Sequence, residues 1–242
     1  MKNIPHAARR ILVTGCSSGI GLAQADLFLK HGDTVYGIDK QDPINLAHPN
    51  FHFFKVDLVT DLTTVFSKLP NTFDIICNTA GILDDYKPLL EISDDAFNTI
   101  FQTNLGPVVK LTRQFLPQMI AQKSGIIINM CSIASFVAGG GGAAYTTAKH
   151  ALAGFTRQLA LDYARSGVQI FGIAPGAIQT AMTQKDFELD DGKMADWVAS
   201  ETPVGRWAAP SEVADLTFFL ASGKASYMHG EILKIDGGWT LK

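Results

Sequence analysis

Residues 10–21 of this 242-residue chain read RILVTGCSSGIG. The apolar run at 11–13 has the length and composition of a buried strand, and it leads into a glycine. Apolar side chains recur at helical spacing over residues 19–31, and Gly32 follows this segment. The stretch therefore predicts a strand, a tight turn and a helix in immediate succession.

The turn holds three glycines in the spacing G-x-x-x-G-x-G. Glycine permits a tight turn, a close backbone approach to a pyrophosphate and close packing of the helix on the sheet. The helix N-terminus adds free amide groups and a positive dipole end, which favour phosphate. A merely flexible turn is the alternative interpretation. We predict a dinucleotide-binding loop that comprises Gly15, Ser17, Ser18, Gly19, Ile20 and Gly21.

Short apolar runs and helix-period segments alternate along the rest of the chain. Further strands are predicted at 34–39, 51–57, 73–81, 125–132, 168–176 and 230–238, and helices at 60–69, from Ser93 onward, at 145–164 and at 211–222. This alternation is typical of a parallel sheet with helices on both faces. We predict an α/β Rossmann fold: one domain over 1–242 with a doubly wound sheet of about seven strands. The polar, less regular residues 176–205 are expected to form a flap over a site.

Bulk composition excludes several classes of function. A hydrophobic content of 47% predicts a large core, and a net charge of −3 without a long basic block disfavours nucleic acid. Cys16, Cys77 and Cys131 form no C-x-x-C pair, which favours a reducing, cytoplasmic location. The histidine spacing indicates no metal site. Neither a secretory signal nor a membrane span is expected, since glycines and polar residues interrupt the uncharged stretch 124–148.

Asp39 stands at the end of the second predicted strand, 18 residues after Gly21. A carboxylate at that position accepts hydrogen bonds from the adenosine ribose hydroxyls and repels a 2′-phosphate. Ser18 occupies a place where an arginine would bind that phosphate. NAD(H) is therefore favoured over NADP(H), although the neighbouring Lys40 leaves NADP(H) possible.

Several other strand ends carry candidate cofactor contacts, because ligands bind such sheets at the carboxyl ends of the strands. Asp57 and Leu58 end the third strand and would frame the adenine. The small residues of NTAG, 78–81, let the cofactor approach the fourth strand. The predicted contacts from these strands and the PGAIQT segment are Asn78, Ala80, Gly81, Pro175, Gly176, Ile178 and Thr180.

Tyr145 and Lys149 lie four residues apart in AAYTTAKH, at the start of a predicted helix. Residues four apart on a helix are neighbours, and a nearby ammonium lowers the pKa of a phenol toward the range that suits a general acid or base. We also expect both residues to contact the nicotinamide ribose. Tyr36 and Lys40 have the same spacing, but they lie on a predicted strand, where four residues span about 13 Å.

Two further polar residues accompany this pair. Ser132 ends the fifth strand, 13 residues before Tyr145, and its hydroxyl would share a substrate oxygen with the phenol. Asn104 precedes Pro107, which disturbs the helix around it and would free polar groups for a water relay from Lys149. A capping serine and a structural asparagine are the alternative interpretations.

Together these motifs resemble the short-chain dehydrogenase/reductase family, and most of all its 3-oxoacyl-[acyl-carrier-protein] reductases. TGCSSGIG, NTAG, YTTAK and PGAIQT occur in the family's order between residues 10 and 239. The resemblance implies a catalytic group of Asn104, Ser132, Tyr145 and Lys149. It also implies a homotetramer in which the helices of 93–120 and 145–163 pack between subunits.

The chain departs from the family pattern at several positions. Phe171 and Thr79 stand where asparagine is usual, which puts the local strand geometry in doubt. Asp39 conflicts with the NADP dependence that is usual in the acyl-carrier reductases. Ile126 stands where those enzymes often have arginine, so docking of an acyl carrier protein is uncertain, with Lys123 and Arg165 as substitutes.

The sequence thus predicts an oxidoreductase that interconverts a secondary alcohol and a ketone, possible substrates being 3-oxoacyl thioesters. Small diketones or acetoin, cyclic diols, steroids and polyols are alternatives. Apolar residues of the flap, Met182, Phe187, Met194 and Trp197, favour an acyl, cyclic or steroid-like group. A dinucleotide sensor without catalysis is the competing hypothesis from another class.

Overall fold

A computed structural model describes residues 8–43, 46–60 and 62–241. Seven parallel strands form one sheet in the order β3-β2-β1-β4-β5-β6-β7. They are β1 (Arg10–Thr14), β2 (Thr34–Asp39), β3 (Phe51–Lys55), β4 (Ile75–Asn78), β5 (Gly125–Met130), β6 (Val168–Pro175) and β7 (Ile232–Ile235). The predicted doubly wound fold is confirmed, and its strand order reverses between β1 and β4.

Eight α-helices connect or flank these strands in the described part of the chain. They are α1 (Gly19–Lys30), α2 (Thr63–Phe66), α3 (Asp94–Asn104), α4 (Gly106–Gln122), α5 (Ala143–Tyr163), α6 (Gln184–Glu188), α7 (Lys193–Glu201) and α8 (Pro210–Leu220). Among the described residues, no helix combines the length and hydrophobicity that a bilayer crossing requires.

Both faces of the sheet are buried, because successive residues of each strand point to opposite sides. Ile11 and Val13 of β1 join one core with Phe28 of α1 and Val213 of α8. Leu12, between them, joins a second core with Leu111 and Phe115 of α4 and Leu159 of α5. Phe171 is fully buried within a continuous β6, so its departure from the family pattern does not distort the strand.

The structure corrects three predicted segments. The helix predicted at 60–69 is reduced to the four residues of α2, and Asp61 lies outside the described residues. The long helix from Ser93 is two helices that meet at Leu105, whose φ of −120° is not helical. Residues 176–205 are not irregular, since α6, α7 and two 3-10 turns occupy most of them.

Candidate active site

The glycine loop, residues 15–21, forms a cradle that leaves no room for side chains on Gly15 and Gly21. A Cβ on Gly21 would lie 2.1 Å from the carbonyl oxygen of Gly15, and one on Gly15 would lie 2.9 Å from Ala80 Cα. Gly15 also has a φ of +72°, in the left-handed region that favours glycine. The loop after β1 therefore packs against the NTAG segment after β4, where the strand order reverses.

Thr14 fixes this contact, a role that no motif in the sequence indicated. Its buried Oγ1 accepts hydrogen bonds from Thr79 N at 2.9 Å and Ala80 N at 3.1 Å. Thr79 Oγ1 donates to Gln24 Oε1 at 2.6 Å, and Gln24 Nε2 donates to Thr217 Oγ1 of α8. Thr79, which replaces the family's asparagine, thus links the loop to α1 and α8.

Asn78 has a structural partner on the next strand. Its Nδ2 donates to Asn129 Oδ1 at 2.8 Å, and Asn129 Nδ2 donates to Thr156 of α5 at 2.9 Å. All three side chains are buried. This chain of amides ties β4 and β5 to the helix that carries Tyr145.

The PGAIQT segment forms the opposite wall of the cradle. A Cβ on Gly19 would lie 3.2 Å from Thr180 Cγ2, so these two residues face each other. Pro175 ends β6, Gly176 packs against Asp236, and Ile178 is buried in an isolated bridge to Ala208. A cleft of about 610 Å³ lies between α1 and the residues that follow Ile178; it is lined by Gly19, Leu22, Ala23, Asp26, Leu46, Gln179, Thr180, Ala181, Gln184 and Pro210.

Asp39 is held by the backbone of the glycine loop. Its two carboxylate oxygens accept hydrogen bonds from Ser17 N and Gln41 N, each at 3.0 Å. The buried Ser17 hydroxyl donates to Gln41 O, so its side chain is engaged by the protein itself. Ser18 is the residue before α1, and Ile20 packs against the first core.

Asp57 and Leu58 follow β3 at the same edge of the sheet. Asp57 is exposed, and its Oδ1 accepts a hydrogen bond from Val59 N at 3.1 Å. Leu58 is buried in the second core. Only the carboxylate of this pair is therefore freely accessible.

Ser132 and Tyr145 are hydrogen-bonding neighbours. Ser132 directly follows the β5 region and its Oγ accepts a hydrogen bond from Ala134 N, while Tyr145 lies in the first turn of α5. Burial raises the pKa of Tyr145 to about 12, a hydrogen bond with Ser132 acts in the opposite direction, and Asp84 raises it further. The predicted lowering of this pKa by Lys149 is wrong for the protein alone.

The position of Lys149 explains that difference. Its Nζ donates to Met130 O at 2.7 Å and lies 5.5 Å from the centre of the Tyr145 ring. Only 4% of the residue is exposed, and burial lowers the pKa of its amine to about 8. A Cβ on Gly81 would lie 3.7 Å from this Nζ, so the amine faces the cofactor cradle.

Asn104 lies at the break between α3 and α4 that Pro107 was predicted to cause. Its Oδ1 accepts from Ile82 N at 2.8 Å and its Nδ2 donates to Ile82 O at 2.9 Å. A Cβ on Gly81 would lie 2.9 Å from this Oδ1. Both ends of the buried amide therefore hold the segment after NTAG, so fixing that segment is its evident structural role.

The second tyrosine–lysine pair, Tyr36 and Lys40, has different surroundings from Tyr145 and Lys149. Tyr36 stacks on His52 with ring centres 4.8 Å apart and meets Phe73 edge-on at 5.4 Å. Lys40 follows β2 and is exposed.

The residues considered for carrier docking do not lie at this edge. Ile126 is buried in β5 and belongs to the first core. Lys123 and Arg165 are exposed, but they precede β5 and β6, whereas Ser132 follows β5. A six-residue strand is about 20 Å long, so both cations lie at the far edge of the sheet from Tyr145.

These features fit a nicotinamide dinucleotide. The glycine loop leaves no room for side chains at Gly15 and Gly21 and leads into the N-terminus of α1, and Asp39 accepts a hydrogen bond from Ser17 N of the same loop, as a dinucleotide-binding loop requires. Ser132, Tyr145 and Lys149 lie at the carboxyl edge of the same sheet, beside Gly81. Among the described residues no group of three or more histidine, cysteine or acidic side chains is placed to hold a metal ion.

Comparison with known proteins gives the family. Residues 15–240 match the family model described as enoyl-(acyl carrier protein) reductase. A short-chain dehydrogenase/reductase of Talaromyces verruculosus is 33% identical over 250 residues, covering 95% of this chain and 96% of the relative. The chain belongs to the short-chain dehydrogenase/reductase family.

Two further relatives indicate the class of reaction. The 3-oxoacyl-[acyl-carrier-protein] reductase of Vibrio harveyi is 35% identical over 238 residues, covering 94% of this chain and 95% of the relative. A solved structure from Beutenbergia cavernae, described as an NAD(P)-dependent gluconate 5-dehydrogenase with bound NADP, is 33% identical with a TM-score of 0.87, and covers 98% of each chain. This chain is accordingly an NAD(P)(H)-dependent oxidoreductase that interconverts alcohols and ketones, and the hypothesis of a sensor without catalysis is not supported.

Proposed function

We propose that Asn104, Ser132, Tyr145 and Lys149 carry out this reaction on a secondary alcohol or its ketone. The observation that carries the proposal is the meeting of Ser132 with Tyr145 beside a buried lysine amine. Two hydroxyls at one point can hold one substrate oxygen, and the amine supplies the positive charge that a phenolate requires. The other pair with this spacing, Tyr36 and Lys40, does not combine a serine with a buried amine, because Lys40 is exposed.

The glycine loop, Asp39, Asp57, the NTAG segment and the PGAIQT segment would hold the dinucleotide. When bound, the nicotinamide ring gives or accepts the hydride. Tyr145 holds the proton that moves to or from the substrate oxygen, and Ser132 donates a hydrogen bond to that oxygen. Lys149 binds the ribose and, once turned from Met130 O, favours the phenolate; Asn104 supports a proton path from the amine.

Substitution of Ser132 tests the arrangement. Ser132→Ala removes one of the two hydroxyls on the substrate oxygen, so kcat should fall by about a hundredfold while the cofactor dissociation constant stays within about twofold. Steady-state kinetics and quenching of protein fluorescence by NADH measure the two quantities. Ser135→Ala is the matched control, because the Ser135 hydroxyl donates to Lys149 O within the helix packing and does not meet the phenol. Equal loss of cofactor binding in S132A would contradict the assigned role.

NAD(H) is the preferred cofactor in this proposal. Asp39 is fixed by Ser17 N and Gln41 N next to the glycine loop, where its charge would repel a 2′-phosphate. We expect kcat/KM with NADH to exceed that with NADPH by at least about tenfold, and Asp39→Ala to reduce the ratio. A preference of the unaltered protein for NADPH would overturn this part of the proposal.

A 3-oxoacyl thioester is the favoured substrate class, supported by the similarity to the Vibrio harveyi reductase. A polyol or sugar acid is the second candidate, supported by the similarity to the Beutenbergia cavernae protein. The flap residues leave both open: Phe187 packs on Trp207 and Trp197 on Trp239, whereas Met182 and Met194 are exposed. Reduction of acetoacetyl thioesters against oxidation of gluconate, with diacetyl and a cyclic diol alongside, discriminates the classes.

The enzyme works as a homotetramer in the cytoplasm in this proposal. Three buried free cysteines suit a reducing compartment, and α4 and α5 would supply the contacts between subunits. Docking of an acyl carrier protein through Lys123 and Arg165 is not part of the proposal, because both lie at the far edge of the sheet.

A further inference from the structure

Asp84 is a buried carboxylate that the proposed chemistry leaves unexplained. It lies in the segment after NTAG, three residues beyond Gly81, and only 6% of it is exposed. Its Oδ1 accepts a hydrogen bond from Gly142 N at 2.7 Å, and its Oδ2 accepts one from Tyr145 N at 2.8 Å. One side chain from outside the helix therefore satisfies the capping residue of α5 and the third residue of its first turn.

The surrounding contacts leave little freedom in this arrangement. A Cβ on Gly142 would lie 2.8 Å from Asp84 Oδ2 and 2.7 Å from Lys87 O, so only glycine fits there without displacing the segment. Ala143 N also donates to Lys87 O at 3.4 Å. The last glycine of the run 139–142 is thus packed against residues 84–87 and joins them to the helix.

The negative charge of Asp84 acts in addition to its two hydrogen bonds. The carboxylate lies at the positive end of a 21-residue helix, where a negative charge is stabilised. It also acts on the Tyr145 phenol, disfavouring the phenolate. The other groups that face this phenol are Ser132, Cys131, Tyr86 and Lys149.

We propose that Asp84 is a positioning residue: it clamps the first turn of α5, holds the Tyr145 ring in place next to Ser132 and Lys149, and keeps the phenol protonated until a substrate is bound. The inference rests on the proposed role of Tyr145. It assigns to the segment after NTAG a part in proton transfer that no motif in the sequence indicates.

Two substitutions at Asp84 test this, with Asp85→Asn as the matched control. Asp85 is the adjacent carboxylate, but it is exposed and paired with Lys185 at 2.9 Å. D84N removes the charge and one of the two hydrogen bonds, and D84A removes both. We expect kcat to fall about tenfold in D84N and about a hundredfold in D84A, with KM for NADH changed by less than about twofold.

The pH profile separates positioning from mere stabilisation. In D84N the acid limb of the alcohol-oxidation profile should move toward acid by about one pH unit, because phenolate forms more easily without the neighbouring charge. D85N should keep the profile of the unaltered protein. An unshifted limb in D84N, or an equal shift in D85N, would overturn the proposal.

An NMR measurement keeps the test decisive if D84A does not fold. In the unaltered protein the amide protons of Gly142 and Tyr145 should resonate downfield, as amides bound to a carboxylate do, and D84N should move at least one of them upfield. Ordinary shifts for both would overturn the clamp. Full activity in Tyr145→Phe would instead overturn the proposed function, and the NMR result does not depend on turnover.

Discussion

At the scale of single residues, the site depends on positions where a side chain is excluded or a charge is buried. Gly15 combines a φ of +72° with a contact to the Ala80 backbone, so its replacement by alanine is strained twice. We expect Gly15→Ala to weaken NADH binding by at least about tenfold, measured by fluorescence titration. Gly106→Ala is the control, because a Cβ on Gly106 meets nothing within 4 Å; equal affinities in both variants would show that the cradle is not where the cofactor binds.

The buried amine of Lys149 predicts a pH dependence of stability. Its pKa is about 8 in the folded protein, against 10.5 for an exposed lysine. Between these values the unfolded chain carries a proton that the folded protein has lost, so the free energy of unfolding rises with pH by about 1.4 kcal/mol per pH unit. Below about pH 8 the full destabilisation is present.

Urea unfolding of the protein and of Lys149→Met, between pH 7 and pH 10, measures this term. The difference between the two proteins should change with pH only above about pH 8. Taking the difference also removes the opposing effect of Cys16 and Cys77, whose pKa values burial raises to about 12 in both proteins. A difference that is constant over the whole range would contradict the lowered pKa.

At the scale of elements, the break between α3 and α4 is what places Asn104. Its amide holds the backbone N–H and C=O of Ile82, and loss of the amide would leave these two partly buried polar groups without their partner. Asn104→Ala should therefore lower the free energy of unfolding by about 2–4 kcal/mol and reduce kcat. Asn98 of the same helix is exposed, so Asn98→Ala should change stability by less than about 0.5 kcal/mol.

Features that depend on neighbouring residues could be predicted from the sequence. The strand–glycine–helix unit at 10–21 and the spacing of Tyr145 and Lys149 follow from neighbouring residues, and Pro107 indicated the helix break near Leu105. Contacts across the fold were not predictable in this way. Asp84 meets α5 only through a separation of about 60 residues, and the direction of the Lys149 amine depends on the carbonyl of Met130, on a different element.

In the molecule as a whole, the strand order brings residues that are far apart in the chain, such as Thr14 and Thr180, to one edge of the sheet. The proposed tetramer adds contacts through α4 and α5. Leu161 of α5 is 73% exposed, and Leu161→Asp should lower the mass in solution from about four times the 26.1 kDa of one chain. Leu90→Asp is the control at an exposed leucine outside both helices; light scattering that finds a single chain for the unaltered protein would contradict the tetramer.

In the proposed function, the Tyr145 phenol transfers the proton that accompanies hydride transfer. The direct test compares Tyr145→Phe with Tyr36→Phe, since Tyr36 also lies four residues before a lysine but packs between His52 and Phe73. With NADH and a ketone that the unaltered protein reduces, Y145F should lose at least about a thousandfold in kcat, with NADH affinity retained, and Y36F should lose less than about threefold. Turnover by Y145F within tenfold of the unaltered protein would contradict proton transfer by the Tyr145 phenol.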